Sequence, residues 1–437
     1  MDSKEIVKTN LQEKIRKEGL VPDAKNPGSF IAPGRSLDGN IMGFLYPENW
    51  VFHKSIVDKV LAGDYEGIRP YSAEFVPTLN CTNRCRGPCS YVLQRMNEGI
   101  AVKNDFKNPR VHMQSTGFAK MLLDKLVEGG IKGMIFTGGG EPTLFKGIED
   151  LLLYASQLGV DSVLYTNGNC VSEKRARRIA EASPKLIRVS FNCGTEKDYN
   201  DFHNPINSKT AFYTALRTIK AFAEESLKNP AMNFGVGCIM NQDNWQALPE
   251  TAKRLREIVE QTGGGISSVS YRPAFNYCGP KQTPPEIVDR AYELVETEVR
   301  KILSGSGITV TNIKCRYETL KGEERGYSLC RASGLFAELG PSGELHSCCD
   351  RNCFKPYVIG DLTKNSLEEI YSGKERKEVM DYANDYGCAT CAIACKPHET
   401  NKQFEKIEQM RERGEMHKVE AWIDVYQKMD KPAMVNF

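Results

Sequence analysis

The residues best able to do chemistry in this chain are its cysteines. The stretch "NCTNRCRGPCSY" (80–91) sets Cys81, Cys85 and Cys89 four positions apart. Three thiolates are one short of a structural zinc site, and an odd number does not make a disulfide framework. Thiolates also suit iron–sulfur clusters, and a 4Fe–4S cube held by three cysteines keeps one iron free to bind a small molecule. On spacing alone, a zinc site completed by a distant histidine or cysteine is the alternative. The chain has 15 cysteines, many for a reducing compartment unless they serve metals or catalysis. Cys170, Cys193, Cys238 and Cys278 are scattered, whereas Cys315, Cys330, Cys348, Cys349, Cys353, Cys388, Cys391 and Cys395 crowd into the last third. Two cysteine-rich regions point to two metal centres.

The elements that must position these groups alternate along the chain. Strand-like runs occur at 73–79, 132–138, 161–167, 185–191, 233–240 and 266–273, with amphipathic helical patterns between them. Six strand–helix units imply parallel pairing with helices outside. Six is short of the eight of a closed barrel, so the expected fold is α/β, a partial (β/α)6 barrel over 73–305 with its active groups at the C-terminal strand ends. The helical pattern at 284–303 opens on proline. Residues 1–72 form an N-terminal extension. The segment 306–400 breaks the rhythm, with a hairpin at 336–347 around Pro-Ser-Gly and a helix at 366–383. A polar helical tail occupies 401–437.

Composition excludes several classes. Of 437 residues, 58 are Lys or Arg and 56 are Asp or Glu, a net charge of +2 that argues against nucleic-acid or membrane-surface binding. The charged N-terminus lacks the apolar run of a signal peptide, and no stretch reaches membrane-span length, so a cytoplasmic protein is expected.

"FTGGGEPTLF" (136–145) falls at the end of the second strand, where Gly138, Gly139 and Gly140 allow a close backbone approach and Glu141 offers a carboxylate. A tight strand–helix turn would explain it equally. Taken together, the cysteine loop after strand one and the GGE after strand two resemble the radical S-adenosylmethionine (radical SAM) superfamily over about residues 71–305. The resemblance implies a 4Fe–4S cluster on Cys81, Cys85 and Cys89, and SAM chelating the free iron through its amino and carboxylate groups. Gly139, Gly140 and Glu141 would hold the SAM ammonium. Ser190 and Asn192 in "RVSFN" would contact the ribose, with Asn167 in "YTNG" and Arg272 in "YRP" as further cofactor contacts. The reduced cluster would cleave SAM to a 5′-deoxyadenosyl radical, with flavodoxin or ferredoxin as reductant. One departure is plain: the last gap of the loop holds three residues where most members have two. Pro88 stands in place of the usual aromatic residue, which makes Tyr91 the candidate to pack on adenine. This C-x3-C-x3-C loop is similar to that of a radical SAM dehydratase that removes the C3′ hydroxyl of the aminoglycoside paromamine.

Downstream, Cys330, Gly343 and Cys348 read C-x12-G-x4-C, followed by Cys388 and Cys391 as C-x2-C. This resembles the SPASM and twitch auxiliary-cluster domains. The longer SPASM continuation is missing, which favours the twitch form with one further 4Fe–4S cluster on Cys330, Cys348, Cys388 and Cys391. A zinc ribbon is the alternative. "CGTEKDYNDFHNP" (193–205) offers Tyr199, Asp201 and His203 as acid/base or substrate-binding groups on the catalytic face. The expected function is radical dehydration of a small polar substrate such as an amino sugar. Dehydrogenation of a sugar alcohol and peptide modification are the alternatives. A non-enzymatic electron carrier or zinc scaffold would leave the GGGEP strand end without a purpose.

Overall fold

The computed structural model describes residues 3–18, 21–22, 27–28, 30–31, 49–85, 89, 105–275, 283–312, 325–351, 355–387, 391 and 395–428. Tyr91 and Cys388 lie outside the described residues.

All six expected strands form, as β1 (Ser72–Phe75), β2 (Gly133–Phe136), β3 (Asp161–Thr166), β4 (Leu186–Ser190), β5 (Asn233–Met240) and β6 (Ser268–Pro273). Each pairs in parallel with the next. Helices fill the connections, several opened by side-chain caps. Ser115 accepts from Phe118 N, Ser172 from Arg175 N and Thr195 from Asp198 N. One face of the sheet feeds these helices: Phe136, Leu164, Ile187, Val189, Val236 and Val269 join Leu122, Leu152, Ile219 and Leu255 in one buried cluster. The opposite, inner face carries a small separate cluster of Ile135, Val163 and Leu186, with Tyr165 against it. Alternation along each strand assigns every residue to one face or the other.

The sheet runs further than six strands. A seventh, β7 (Thr309–Asn312), pairs in parallel with β6, so the barrel sheet continues past the expected boundary at 305. The hairpin at 336–347 forms as β8 (Phe336–Leu339) and β9 (Glu344–His346), turning at Gly343 with φ +96. Its first strand lies parallel to β1, with Glu338 opposite Glu74. With β10 (Val358–Asp361) the order is β10-β9-β8-β1-β2-β3-β4-β5-β6-β7, an open sheet of ten strands. The auxiliary segment is thus welded to the barrel edge by backbone hydrogen bonds. The expected helix at 366–383 is interrupted. Gly373 takes an extended conformation between Leu367–Ser372 and Lys374–Tyr382.

The two chain ends share a core. Trp50, Ile56, Val57 and Val60 from the N-terminal extension pack with Phe404, Ile407, Met410, Trp422 and Tyr426 from the last helices, His398–Glu412 and Met416–Tyr426. The tail reads as polar because only one stripe of each helix is apolar. That stripe is buried here.

Candidate active site and auxiliary metal centre

The C-terminal ends of β1 to β4 converge on the first cysteine loop. Burial pushes the Cys85 thiol well up, and the neighbouring Cys89 and Cys81 push it the same way. Amide groups surround them. Asn83 N donates to Cys81 Sγ at 3.4 Å, and Asn167 Nδ2 lies 3.7 Å from the same sulfur while donating to Thr82 Oγ1 at 3.0 Å. Asn169 Nδ2 donates to Asn83 Oδ1 at 2.8 Å. Three converging thiols with N–H groups aimed at a sulfur fit an iron–sulfur cluster, whose potential such hydrogen bonds tune.

The glycines and Glu141 serve this geometry from within. A Cβ on Gly140 would fall 2.1 Å from Asn80 O, and Glu141 N donates to that same carbonyl at 2.7 Å. The glycine therefore lets the loops after β1 and β2 touch. Gly138 and Gly139 are buried beside it. The Glu141 carboxylate is fully buried and cross-links two strand ends. Its Oε1 accepts from Thr143 N (3.0 Å), Thr143 Oγ1 (2.6 Å) and Thr166 Oγ1 (2.6 Å), and its Oε2 accepts from Asn167 N at 2.7 Å. Burial raises its pKa against these bonds. Oε1 is filled by three bonds, whereas Oε2, with one, keeps a lone pair for the ammonium contact that the resemblance implies.

His203 is likewise not a catalytic-face base. It ends the helix Glu196–His203, buried, with Nδ1 3.4 Å from Asn83 Nδ2 and 3.5 Å from Cys85 Sγ, and Nε2 3.4 Å from Asn192 Nδ2. Burial pulls its pKa down to about 3, so it is neutral. Tyr199, also buried, packs 4.3 Å from its ring and donates to Asn169 Oδ1 at 3.2 Å. The backbone of Arg84 donates to His203 O at 3.0 Å. His203 and Tyr199 therefore form the floor beneath the cysteine loop. Asp201 is not brought to the site: it is 62% exposed and paired with Lys197 at 3.0 Å.

Asn192 departs from the ribose role as well. Its Oδ1 accepts from Ile239 N at 2.8 Å, tying β4 to β5. Ser190 is half-buried on the inner face, as is Arg272 on β6. Sequence reading missed Asn83, Asn169, Thr143 and Thr166. Asn83 sits inside the cysteine loop, which was its only signal.

The second centre is a separate enclosed cavity lined by Cys330, Cys348, Cys391 and Cys395, with Tyr327 and Arg351 beside them. Cys349 and Asp350 lie within ligand distance of Cys348. Cys395, buried, joins the expected set here. Four thiols around one cavity fit a second iron–sulfur cluster. Lys396, between the cavity-lining Cys395 and Pro397, pairs through its ammonium with Glu74 on the inner face of β1. The Cys349 thiol is held high by its hydrogen bond to Cys348, then by burial and by the charge of Glu74.

Family models match both regions, the Radical SAM superfamily over residues 76–255 and the SPASM iron–sulfur cluster-binding domain over 330–396. The chain carries a radical SAM domain. The SAM-cleaving 4Fe–4S cluster and SAM go with the first domain, and auxiliary iron–sulfur chemistry with the second. The chain is 28% identical over 178 residues to the Fe-coproporphyrin III synthase of Methanosarcina barkeri, covering 41% of this chain and 40% of that protein. It is 30% identical over 130 residues to the AdoMet-dependent heme synthase of Oleidesulfovibrio alaskensis, covering 30% and 31%. It thus spans less than half the length of either relative. Among solved structures, Streptococcus suis SuiB bound to S-adenosylmethionine superposes with a TM-score of 0.55 at 15% identity, over 78% of this chain and 74% of that one. That likeness is one of fold. No helix among the described residues is long and apolar enough to cross a membrane.

Proposed function

We propose that this radical SAM enzyme oxidises a small molecule held inside the barrel. The SAM-cleaving cluster supplies a 5′-deoxyadenosyl radical, and the auxiliary centre supplies an acceptor for one electron. The substrate would lose a hydrogen atom, then an electron and a proton. The observation that carries this reading is the Glu74–Lys396 pair, which ties the inner face of the barrel to the segment that supplies Cys395 to the auxiliary cavity. The chain's own residues hold the parts: Asn83, Asn167 and His203 fix the first cysteine loop, Glu141 locks the strand ends, and β8 fastens the auxiliary segment to β1.

Dehydration of an amino sugar is the second reading, favoured by the C-x3-C-x3-C loop. It needs an acid/base group, and His203 is buried and neutral. Anaerobic incubation of the reduced, reconstituted protein with SAM and either iron coproporphyrin III or paromamine separates the two. With 5′-deoxyadenosine and substrate mass followed together, loss of two hydrogens, alone or together with carbon dioxide, sustains oxidation. Loss of water from the sugar would replace it with dehydration.

A further inference from the structure

We propose that Arg188 is the receptor for a carboxylate of the substrate, deep in the barrel below the SAM-binding rim. This rests on the reading that a small molecule is bound in the barrel, and adds its chemistry.

Arg188 sits on the inner face of β4, since its neighbours Ile187 and Val189 point into the helix-side core. Its guanidinium carbon lies 3.6 Å above the ring of Tyr165, its register partner on β3. That stacking fixes the side chain and leaves its hydrogen-bonding edge to other partners. On the other side, β5 offers no side chain at two successive inner positions, Gly235 and Gly237. A Cβ at Gly237 would lie 3.2 Å from Arg188 Cδ and 3.4 Å from Nε, so the glycine clears the space through which the arginine reaches. Across that gap Ser270, in register with Gly237, has a buried hydroxyl with no partner among the described residues. Arg188 Nε is also buried without one.

Three other sheltered cations are paired with carboxylates, Lys396 with Glu74, Arg175 with Glu149 and Arg331 with Glu405, and buried Arg376 donates to the backbone carbonyls of Glu66 and Tyr371. Arg188 has no carboxylate partner among the described residues, and a guanidinium held in the interior calls for an anion. A monoanionic carboxylate suits it better than a phosphate dianion, because the inner positions of β1 and β8 already carry Glu74, paired with Lys396, and Glu338. Nor is the anion the carboxylate of SAM. Four residues along β4, about 13 Å at the rise of a strand, separate Arg188 from Asn192, which abuts His203 behind Cys85.

The test is thermal melting of the full-length reconstituted protein in rising propionate against chloride at constant ionic strength, with and without SAM. The expected result is a saturable upward shift in Tm with propionate. Arg188→Met should weaken that response at least tenfold and leave the stabilisation by SAM intact. Gly237→Ala, which crowds Arg188, should do the same, and Arg188→Lys should fall between. A wild-type response no larger than that to chloride would overturn the proposal. So would an unchanged response in Arg188→Met, a larger shift with phosphate than with propionate, or loss of the SAM response in the Arg188 variants. None of these outcomes depends on whether the reaction is oxidation or dehydration.

Discussion

The two cysteine centres are held in different ways. Around Cys81, Cys85 and Cys89 the neighbours are amides and a neutral histidine, and the loop is pinned by hydrogen bonds from three strand ends. Around Cys330, Cys348, Cys391 and Cys395 the thiols line a closed cavity walled by Tyr327, Tyr357 and Arg351. The first is a rim with three thiols and polar donors, suited to a cluster that must admit a ligand. The second would enclose the group it holds, and the segment carrying Cys395 meets the barrel through the buried Lys396–Glu74 pair. Polar, hydrogen-bonded surroundings go with exchange, and enclosure goes with permanence.

The sharpest way to break this comparison is to remove thiols from each side. Cys81→Ala, Cys85→Ala or Cys89→Ala should abolish 5′-deoxyadenosine formation and lower iron content by about four per chain. Cys348→Ala or Cys391→Ala should keep SAM cleavage while uncoupling it from product, as read by 5′-deoxyadenosine against substrate turnover. Equal loss of cleavage from both sets would erase the distinction. Next in size is the ion pair between them. Lys396→Met strands the buried Glu74 charge and should cost about 3–5 kcal/mol in urea unfolding. The double variant Glu74→Gln, Lys396→Met should recover most of that, because neither charge is left alone. Burial alone would pull the lysine down, but Glu74 outweighs it and its pKa ends up raised.

Gly140→Ala should be milder in stability, about 1–3 kcal/mol, because its Cβ must displace the Asn80 backbone. Its mark is selective: SAM binding by calorimetry falls, while iron bound at the auxiliary cavity does not. The smallest effect concerns acid. His112 Nδ1 bonds Thr78 Oγ1 at 2.9 Å just past β1, and burial lowers its pKa. A histidine depressed in the folded state binds its proton more readily when unfolded. Its contribution is therefore complete above about pH 6.5 and is lost as pH falls below that value. His112→Gln should flatten the dependence of the urea midpoint between pH 7.5 and 5.5, and an unchanged slope would clear His112 of that role.

Much of this was legible in residues. The short β-branched runs located β1 to β6 because a parallel strand buried on both faces is largely apolar and β-branched. The cysteine spacings and the glycine run marked both centres because few other chemistries use them. What could not be read were contacts distant in sequence. Glu141 reads as an open carboxylate in a linear reading, yet Thr166 and Asn167 at the end of the next strand bond its two oxygens. His203 looks exposed in a polar stretch, yet helix periodicity turns it inward under Cys85.

The sequence by itself determined the alternation of strands and helices, the two thiol sets and the family chemistry, since these depend on local periodicity and residue type. Only the tertiary structure decided that β8 adds to the edge at β1, that the two chain ends share a core around Trp50 and Trp422, and that Arg188 faces an interior with Tyr165 beneath it. Those depend on which backbone edges and apolar faces remain unpaired once each element has formed, and such remainders are satisfied by whatever the fold brings near.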